Sequence, residues 1–414
     1  MKPISEFNRN VVTLMTGTTV AQAIPIAISP ILTRIYSPEN FGVFTVFMAI
    51  VGILAPIANA RYEVAIMLPE RDDDAINIFA LGLLITSALT IFLFIGIFFS
   101  QELIVTQVSN DIGPWLYLIP ISVFFIGIFN VLSYFNIRKR YYKDMASAKI
   151  FKATAMAVIQ VSMGFLKQGV SGLISGQIIS QTIANFRLVK NLFEDKEILS
   201  RITKERMWGQ AKKHKNFPKF SLWAALLNSL SIHLSNVLIS LFFSVSTLGF
   251  YSLVYRVLGT PSALIGGSIG QVFYQQATVE KGETGGIIEV YKKTLKKLIV
   301  VGIPVYGLFY FIIEDLFAIV FGNDWRIAGS YARIVMPLFF FRFIFVSVST
   351  TFTIFNRMDL ELFLKALLLI GVVTILILSK GQHFERYLYY FMYYSSLVYL
   401  GSLLISYRIV KARK

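Results

Sequence analysis

The chain has 414 residues, 56% hydrophobic and 15% aromatic, with only 15% charged, where soluble domains carry about a quarter. Its mean hydropathy is +0.66, so a soluble enzyme of ordinary composition is excluded. The absence of Cys removes disulfides and thiolate chemistry, and three His (His214, His233, His383) leave little for an imidazole cluster, so neither metal nor cofactor is expected.

A spanning helix needs about 20 apolar residues. In chain order such runs predict helices near 11–33, 41–60, 75–99, 114–136, 147–166 and 170–189, then 218–243, 248–270, 297–319, 331–355, 360–379 and 386–407. The first run lacks an A-x-A-like cleavage site and is too long for the apolar region of a signal peptide, so it is read as a retained helix.

The net charge of +16 raises nucleic acid as a partner, and the distribution of basic residues decides against it. With the N-terminus in the cytoplasm, that side receives Lys2, Arg9, Arg61, Arg71, the run Arg138, Lys139, Arg140, Lys143 and Lys149, and the basic segment 190–217. It also receives Lys281, Lys292, Lys293, Lys296, Lys297, Arg357, Lys365 and the tail. About thirty of the 39 basic residues then share one side, which supports twelve spans with both termini cytoplasmic.

Three echoes in order suggest an internal duplication. Phe41-Gly42-Val43-Phe44 opens the second helix with Pro56 inside it, and Leu248-Gly249-Phe250-Tyr251 opens the eighth with Pro261 inside it. Tyr134-Phe135-Asn136 before Arg138 parallels Ile354-Phe355-Asn356 before Arg357, and Glu102-Leu103 parallels Asp315-Leu316. Six spans return the chain to its starting side, so the copies would be parallel repeats. The expected organisation is a six-helix lobe over 1–189, a basic cytoplasmic linker over 190–217 and a second six-helix lobe over 218–414, arranged around a central cavity.

Polar residues within the spans mark the candidate site. Thr18, Thr19, Gln22, Ser29 and Thr33 share one stripe of the first helix, and Asn228, Ser229, His233, Asn236 and Ser240 share one face of the seventh. Such groups either bond across packed helices or line a lumen. Arg256 in the eighth helix and Arg342 in the tenth each cost at least ~2.5 kcal/mol at the bilayer centre. They are either pinned to backbone carbonyls or a carboxylate for packing or face an anionic ligand, and the lack of an evident mid-membrane carboxylate favours the ligand. Arg61 and Glu63 end the second helix as a gate pair or interfacial anchor. His233 reads first as a bridging side chain and second as a proton carrier, and Glu314 with Asp315 first as solvated outer groups and second as sites of proton or cation coupling. Gly164, Gly169, Gly172 and Gly176 permit close helix approach or a tight hairpin.

As an ordered set, several segments carry a family resemblance: Thr16-Gly17-Thr18 through Ala21-Gln22, Pro30 to Gly42, and Arg61-Tyr62-Glu63-Val64-Ala65-Ile66. Tyr255-Arg256, Phe321-Gly322-Asn323-Asp324-Trp325 and Tyr331 continue it. The sequence resembles bacterial oligosaccharide flippases, the O-antigen (Wzx-type) branch of the multidrug, oligosaccharidyl-lipid and polysaccharide exporter superfamily. The resemblance implies a MATE-like fold, and passage of undecaprenyl-pyrophosphate-linked oligosaccharide from the cytoplasmic to the periplasmic leaflet of the bacterial inner membrane. It places Arg61, Arg256 and Arg342 where the family often carries basic residues. The polar faces of the first and seventh helices, with Gln22, Asn228, His233 and Asn236, are expected to contact sugars, and Arg61 with Glu63 to lie near the cytoplasmic entry. Membrane lipids are implied partners, with a polysaccharide polymerase and chain-length machinery as neighbours. A cation-coupled drug exporter of the same superfamily stays open, although neither the first nor the seventh helix has a central carboxylate. A membrane polymerase or glycosyltransferase would need catalytic acids or bases near the interface, and no persuasive set is spaced in the sequence.

Overall fold

The structure, a computed structural model, describes residues 6–108, 110–194 and 196–412. Among these residues every element is helical. The chain runs through α1 (Glu6–Ile35), α2 (Pro38–Leu54), α3 (Tyr62–Ala65), α4 (Asp72–Val108), α5 (Leu118–Arg138), α6 (Tyr142–Phe165), α7 (Val170–Glu194), α8 (Lys196–Leu199) and α9 (Lys204–Lys213). It continues through α10 (Leu222–Phe242), α11 (Val245–Val254), α12 (Thr260–Thr284), α13 (Ile288–Phe321), α14 (Arg326–Val348), α15 (Thr351–Ile354), α16 (Met358–Leu378) and α17 (Phe384–Ala412).

Each of the twelve expected spans is occupied by a long helix, the eighth by α11 and α12 in succession. Among the described residues, nine helical segments are long and apolar enough to cross a membrane. The others, α6, α7 and the α11–α12 pair, carry more polar side chains. Side chains such as Phe92, Phe98, Phe99, Phe186 and Phe311 are largely exposed on the helix surfaces. In water they would form aggregating patches, and in a bilayer they meet acyl chains.

The helix starts follow from local chemistry. Ser37 caps α2 by accepting the Asn40 N–H at 3.3 Å, with Pro38 at the first helical position and Glu39 in the first turn. Ser244 caps α11 in the same way from Thr247 N–H at 3.0 Å. Each capping serine lies five residues before the glycine of the repeated motif, Gly42 or Gly249, which adds a fourth echo between the halves.

The chain divides into two compact units, residues 1–241 and 242–414. In the first, a core of Ile76, Phe79, Val131, Phe135, Met145 and Leu188 joins α4, α5, α6 and α7. The segment after α7 is pinned to α4. Asp73 pairs with Arg201 at 2.6 Å and Arg71 at 3.1 Å, while Asn77 bonds both the Arg201 carbonyl and the Thr203 N–H at 3.0 Å. α10 groups with this unit, and its His233 ring packs so closely on α2 that a Cβ on Gly52 would lie 2.5 Å from Nε2. In the second unit Phe273, Tyr291, Leu298, Phe343, Ile344 and Val410 form the corresponding core.

Glycines permit the close approaches expected of them. Tyr36, 2% exposed, inserts between α6 and α7 and donates its hydroxyl to the Gln160 carbonyl at 2.6 Å. Gly164 and Gly172 form the walls of this slot: a Cβ on Gly172 would collide with the Tyr36 hydroxyl, and one on Gly164 would lie 2.5 Å from Ile35 Cγ2. Gly169, at φ +55°, makes the hairpin between α6 and α7.

The start of α6 differs from the sequence expectation, with consequences for charge. α6 begins at Tyr142, five residues before the apolar run, because Ala146, Ala148 and Ala153 are buried helix positions that hydropathy does not mark. Lys149, expected in the cytoplasmic basic loop, therefore lies two turns inside the helix, and Lys152 lies near its midpoint.

Candidate functional site

α2 does not run straight to its expected end. After Leu54, Ala55-Pro56-Ile57 tightens into a 3-10 turn, and Ala60 and Arg61 both adopt left-handed backbone, at φ +49° and +68°. Two consecutive non-glycine residues in this region are strained, and the surrounding bonds hold them there. Asn59, 1% exposed, donates its side-chain amide to Thr86 Oγ1 at 2.6 Å and to the Gly127 carbonyl at 3.1 Å. Tyr62 O–H reaches the Ala211 carbonyl at 3.0 Å, and Arg138 donates to the Ile66 and Pro69 carbonyls at 3.2 and 2.7 Å. Irregular backbone beside a membrane span survives where protein or water satisfies its polar groups.

This bend brings Arg61 and Glu63 together. The Arg61 guanidinium bonds Glu63 Oε1 at 3.0 Å and reaches Ser221 Oγ at 3.4 Å. The Glu63 side chain is 3% exposed, and among the described residues its Oε2 has no hydrogen-bond partner. Burial pushes the Glu63 carboxyl above its ordinary value of 4.5, against the opposing pull of the Arg61 charge. Arg61 is thus largely compensated within its own unit.

In the second unit the counterpart helix is interrupted too. Tyr255–Gly259 forms a π-helical turn between α11 and α12, a local widening frequent at functional sites, and Arg256 lies within it, half-buried. Arg342, on α14, places its guanidinium 6.0 Å from the centre of the Tyr255 ring and 5.7 Å from that of Phe339, a cation–π arrangement. Arg342 thereby sits over the residue that precedes Arg256.

The polar stripes resolve into two kinds of group. On α1, Ser29 and Thr33 are buried and bonded back to the Pro25 and Pro30 carbonyls at 2.6 and 3.2 Å, a helix-internal role. Gln22 is exposed on the same helix. On α10, Asn228 is exposed while His233 and Asn236 are half-buried. Glu314 and Asp315 are ion-paired with Arg333 at 3.0 Å and Arg326 at 2.8 Å. Among the described residues no three His, Asp or Glu side chains are placed to hold a metal ion.

Sequence reasoning missed Lys149 and Lys152. The Lys149 ammonium donates to Thr18 Oγ1 at 3.0 Å, and Lys152 lies 6.0 Å from the centre of the Phe129 ring. The available signal was the i, i+3 spacing of two lysines inside the expected span 147–166, which puts both on one helix face.

Comparison with solved structures finds the same architecture. A structure described as "Lipid II flippase MurJ, inward closed conformation" aligns over 96% of this chain and 87% of its own, at 13% identity and a TM-score of 0.71. A MATE structure in complex with MaL6 aligns over 97% and 96%, at 13% identity and 0.60. An inward-facing multidrug resistance MATE family transporter of the MOP superfamily aligns over 96% and 95%, at 12% identity and 0.59. At such identities the likeness shows the fold: an all-α, multi-pass membrane architecture of the MATE type. No curated protein matches the sequence itself. The family described as "Polysaccharide biosynthesis protein" matches residues 31–329, and the chain belongs to that family.

Proposed function

We propose that this protein is a flippase that carries an undecaprenyl-pyrophosphate-linked oligosaccharide, an O-antigen or related surface-polysaccharide unit, from the cytoplasmic to the periplasmic leaflet of the bacterial inner membrane. The observation that carries the reading is the pair of interrupted helices. α2 breaks after Pro56 and positions Arg61, and α11 passes through a π-turn at Arg256 before α12. Interrupted apolar helices at corresponding places of two repeats point to a transporter's substrate site. Guanidinium groups at such breaks bind pyrophosphate by paired, charge-assisted hydrogen bonds and lower the cost of moving an anion through hydrocarbon.

In this mechanism the lobes 1–189 and 218–414, joined by the basic linker 190–217, alternate in access, with both termini cytoplasmic. Arg256 and Arg342 bind the pyrophosphate, while Gln22, Asn228, His233 and Asn236 contact sugars. The Arg61–Glu63 pair guards the cytoplasmic mouth. The chain performs no covalent chemistry and hands its cargo to polymerase and chain-length machinery.

The test is flipping of a fluorescent lipid-linked oligosaccharide in proteoliposomes. Arg256→Ala and Arg342→Ala are each expected to slow flipping at least about tenfold, the equivalent of one lost charged hydrogen bond. Full flipping by both variants at equal protein abundance overturns the assignment. Drug-dependent efflux without oligosaccharide transport would favour the multidrug exporter reading.

A further inference from the structure

We infer that Lys149 and Lys152 form an anion-binding site within the membrane part of the first unit, with a phosphate or pyrophosphate group as its ligand. Met145, Lys149, Lys152 and Met156 share a stripe about 60° wide on α6. Phe151, Thr154, Val158 and Phe165, all exposed, lie roughly 160° away on the opposite face. The lipid-facing side of α6 is therefore the aromatic one, and the lysines point toward α1 and α5, where Thr18 and Phe129 meet them.

Nothing anionic balances this pair among the described residues. The carboxylate nearest in sequence on the same helix, Asp144, is engaged by Arg187 at 3.0 Å and by Asn191 at 3.3 Å. Thr18 offers Lys149 only a lone pair, its own proton being donated to the Leu14 carbonyl at 2.8 Å. Lys152 faces the Phe129 ring, 6.0 Å from its centre. Arg61, by contrast, has its Glu63. Two lysines three residues apart on one helix face, with three donors each, suit a ligand carrying several anionic oxygens.

The identity of the ligand as cargo rests on the flippase reading, whereas the site rests on the lysines. The experiment is calorimetric titration of the full chain in phosphatidylcholine nanodiscs with geranylgeranyl pyrophosphate. Inorganic pyrophosphate and phosphatidylglycerol-containing discs serve as competitors. Lys149→Gln and Lys152→Gln are each expected to weaken binding at least about tenfold, and the double Lys→Arg variant to stay within about threefold of wild type. Binding within about twofold of wild type in both Gln variants overturns the site.

Lys152→Met separates a ligand role from a packing role. Removing an unbalanced charge is expected to raise the melting temperature of the unliganded protein while abolishing binding. A fall in melting temperature with loss of binding assigns the lysines to packing and overturns the proposal. Competition identifies the ligand's source: displacement by phosphatidylglycerol means a phospholipid headgroup, displacement by inorganic pyrophosphate a free anion, and displacement by neither an isoprenoid-linked one. If the lysine variants bind and flip as wild type while Arg256→Ala and Arg342→Ala are inactive, the flippase reading stands and this inference falls. If wild type binds through the lysines yet transports no lipid-linked oligosaccharide, the converse holds.

Discussion

The Tyr36 slot allows a quantitative test of packing between α1, α6 and α7. In Gly172→Ala the new methyl collides with the Tyr36 hydroxyl and lies 2.9 Å from Met163 Cβ. Overpacking of this kind costs about 1–3 kcal/mol, and displacing the hydroxyl from the Gln160 carbonyl, bonded at 2.6 Å, adds about 1 kcal/mol. Helix propensity returns up to about 1 kcal/mol, so the expected net loss is about 1–3 kcal/mol. Tyr36→Phe alone should cost about 1 kcal/mol, the value of one buried hydrogen bond. In the double variant the worst clash has gone and the contacts with Met163 Cβ at 2.9 Å and the ring Cζ at 3.3 Å remain, so the combined loss should fall short of the sum by about 1 kcal/mol or more. The assay is chemical unfolding in mixed micelles of all four proteins, read as a double-mutant cycle. Additivity within about 0.5 kcal/mol would show that the hydroxyl is not the obstacle and refute the reasoning.

Two further outcomes follow from local geometry. Because burial raises the Glu63 pKa, the folded chain holds this proton at pH values where the unfolded chain has lost it. The associated stability is present below pH 4.5 and is lost as pH rises through the raised value. Glu63→Gln should flatten that decline in melting curves recorded across the range, and a wild type that gains stability relative to Gln with rising pH would contradict it. Gly322, at φ +105° and ψ +157°, occupies a region accessible essentially to glycine, so Gly322→Ala should cost about 1–3 kcal/mol. A melting temperature equal to wild type would count against that strain.

The span pattern was readable because hydrocarbon imposes a length and a hydropathy on each crossing. The glycines of α6 and α7 and the Arg61–Glu63 pair were visible because their spacing has few alternative uses. What escaped notice has physical causes. A hydropathy window penalises charge, so the expected span 147–166 leaves out the turn at 142–146, although buried Met145 and Ala146 carry the helix back to Tyr142, and Lys149, inside that span, is counted with the cytoplasmic loop. Neither left-handed position, Ala60 or Arg61, is a glycine or asparagine, and the network around Asn59 that sustains the bend links residues up to 68 positions apart. On α1 the polar stripe mixes back-bonded Ser29 and Thr33 with exposed Gln22, and periodicity cannot separate a hydroxyl turned to its own carbonyl from one turned to a ligand.

The lengths of α4 and α13 carry one more consequence. At 37 and 34 residues they measure about 55 and 51 Å, against about 30 Å of hydrocarbon. Even a tilt of about 40°, the upper end of what membrane helices show, leaves roughly 10 Å of each outside the acyl region. These two helices can therefore slide in depth without stranding a polar end in lipid. A bilayer that thins or thickens around the protein would change how much of them is wetted rather than how they pack.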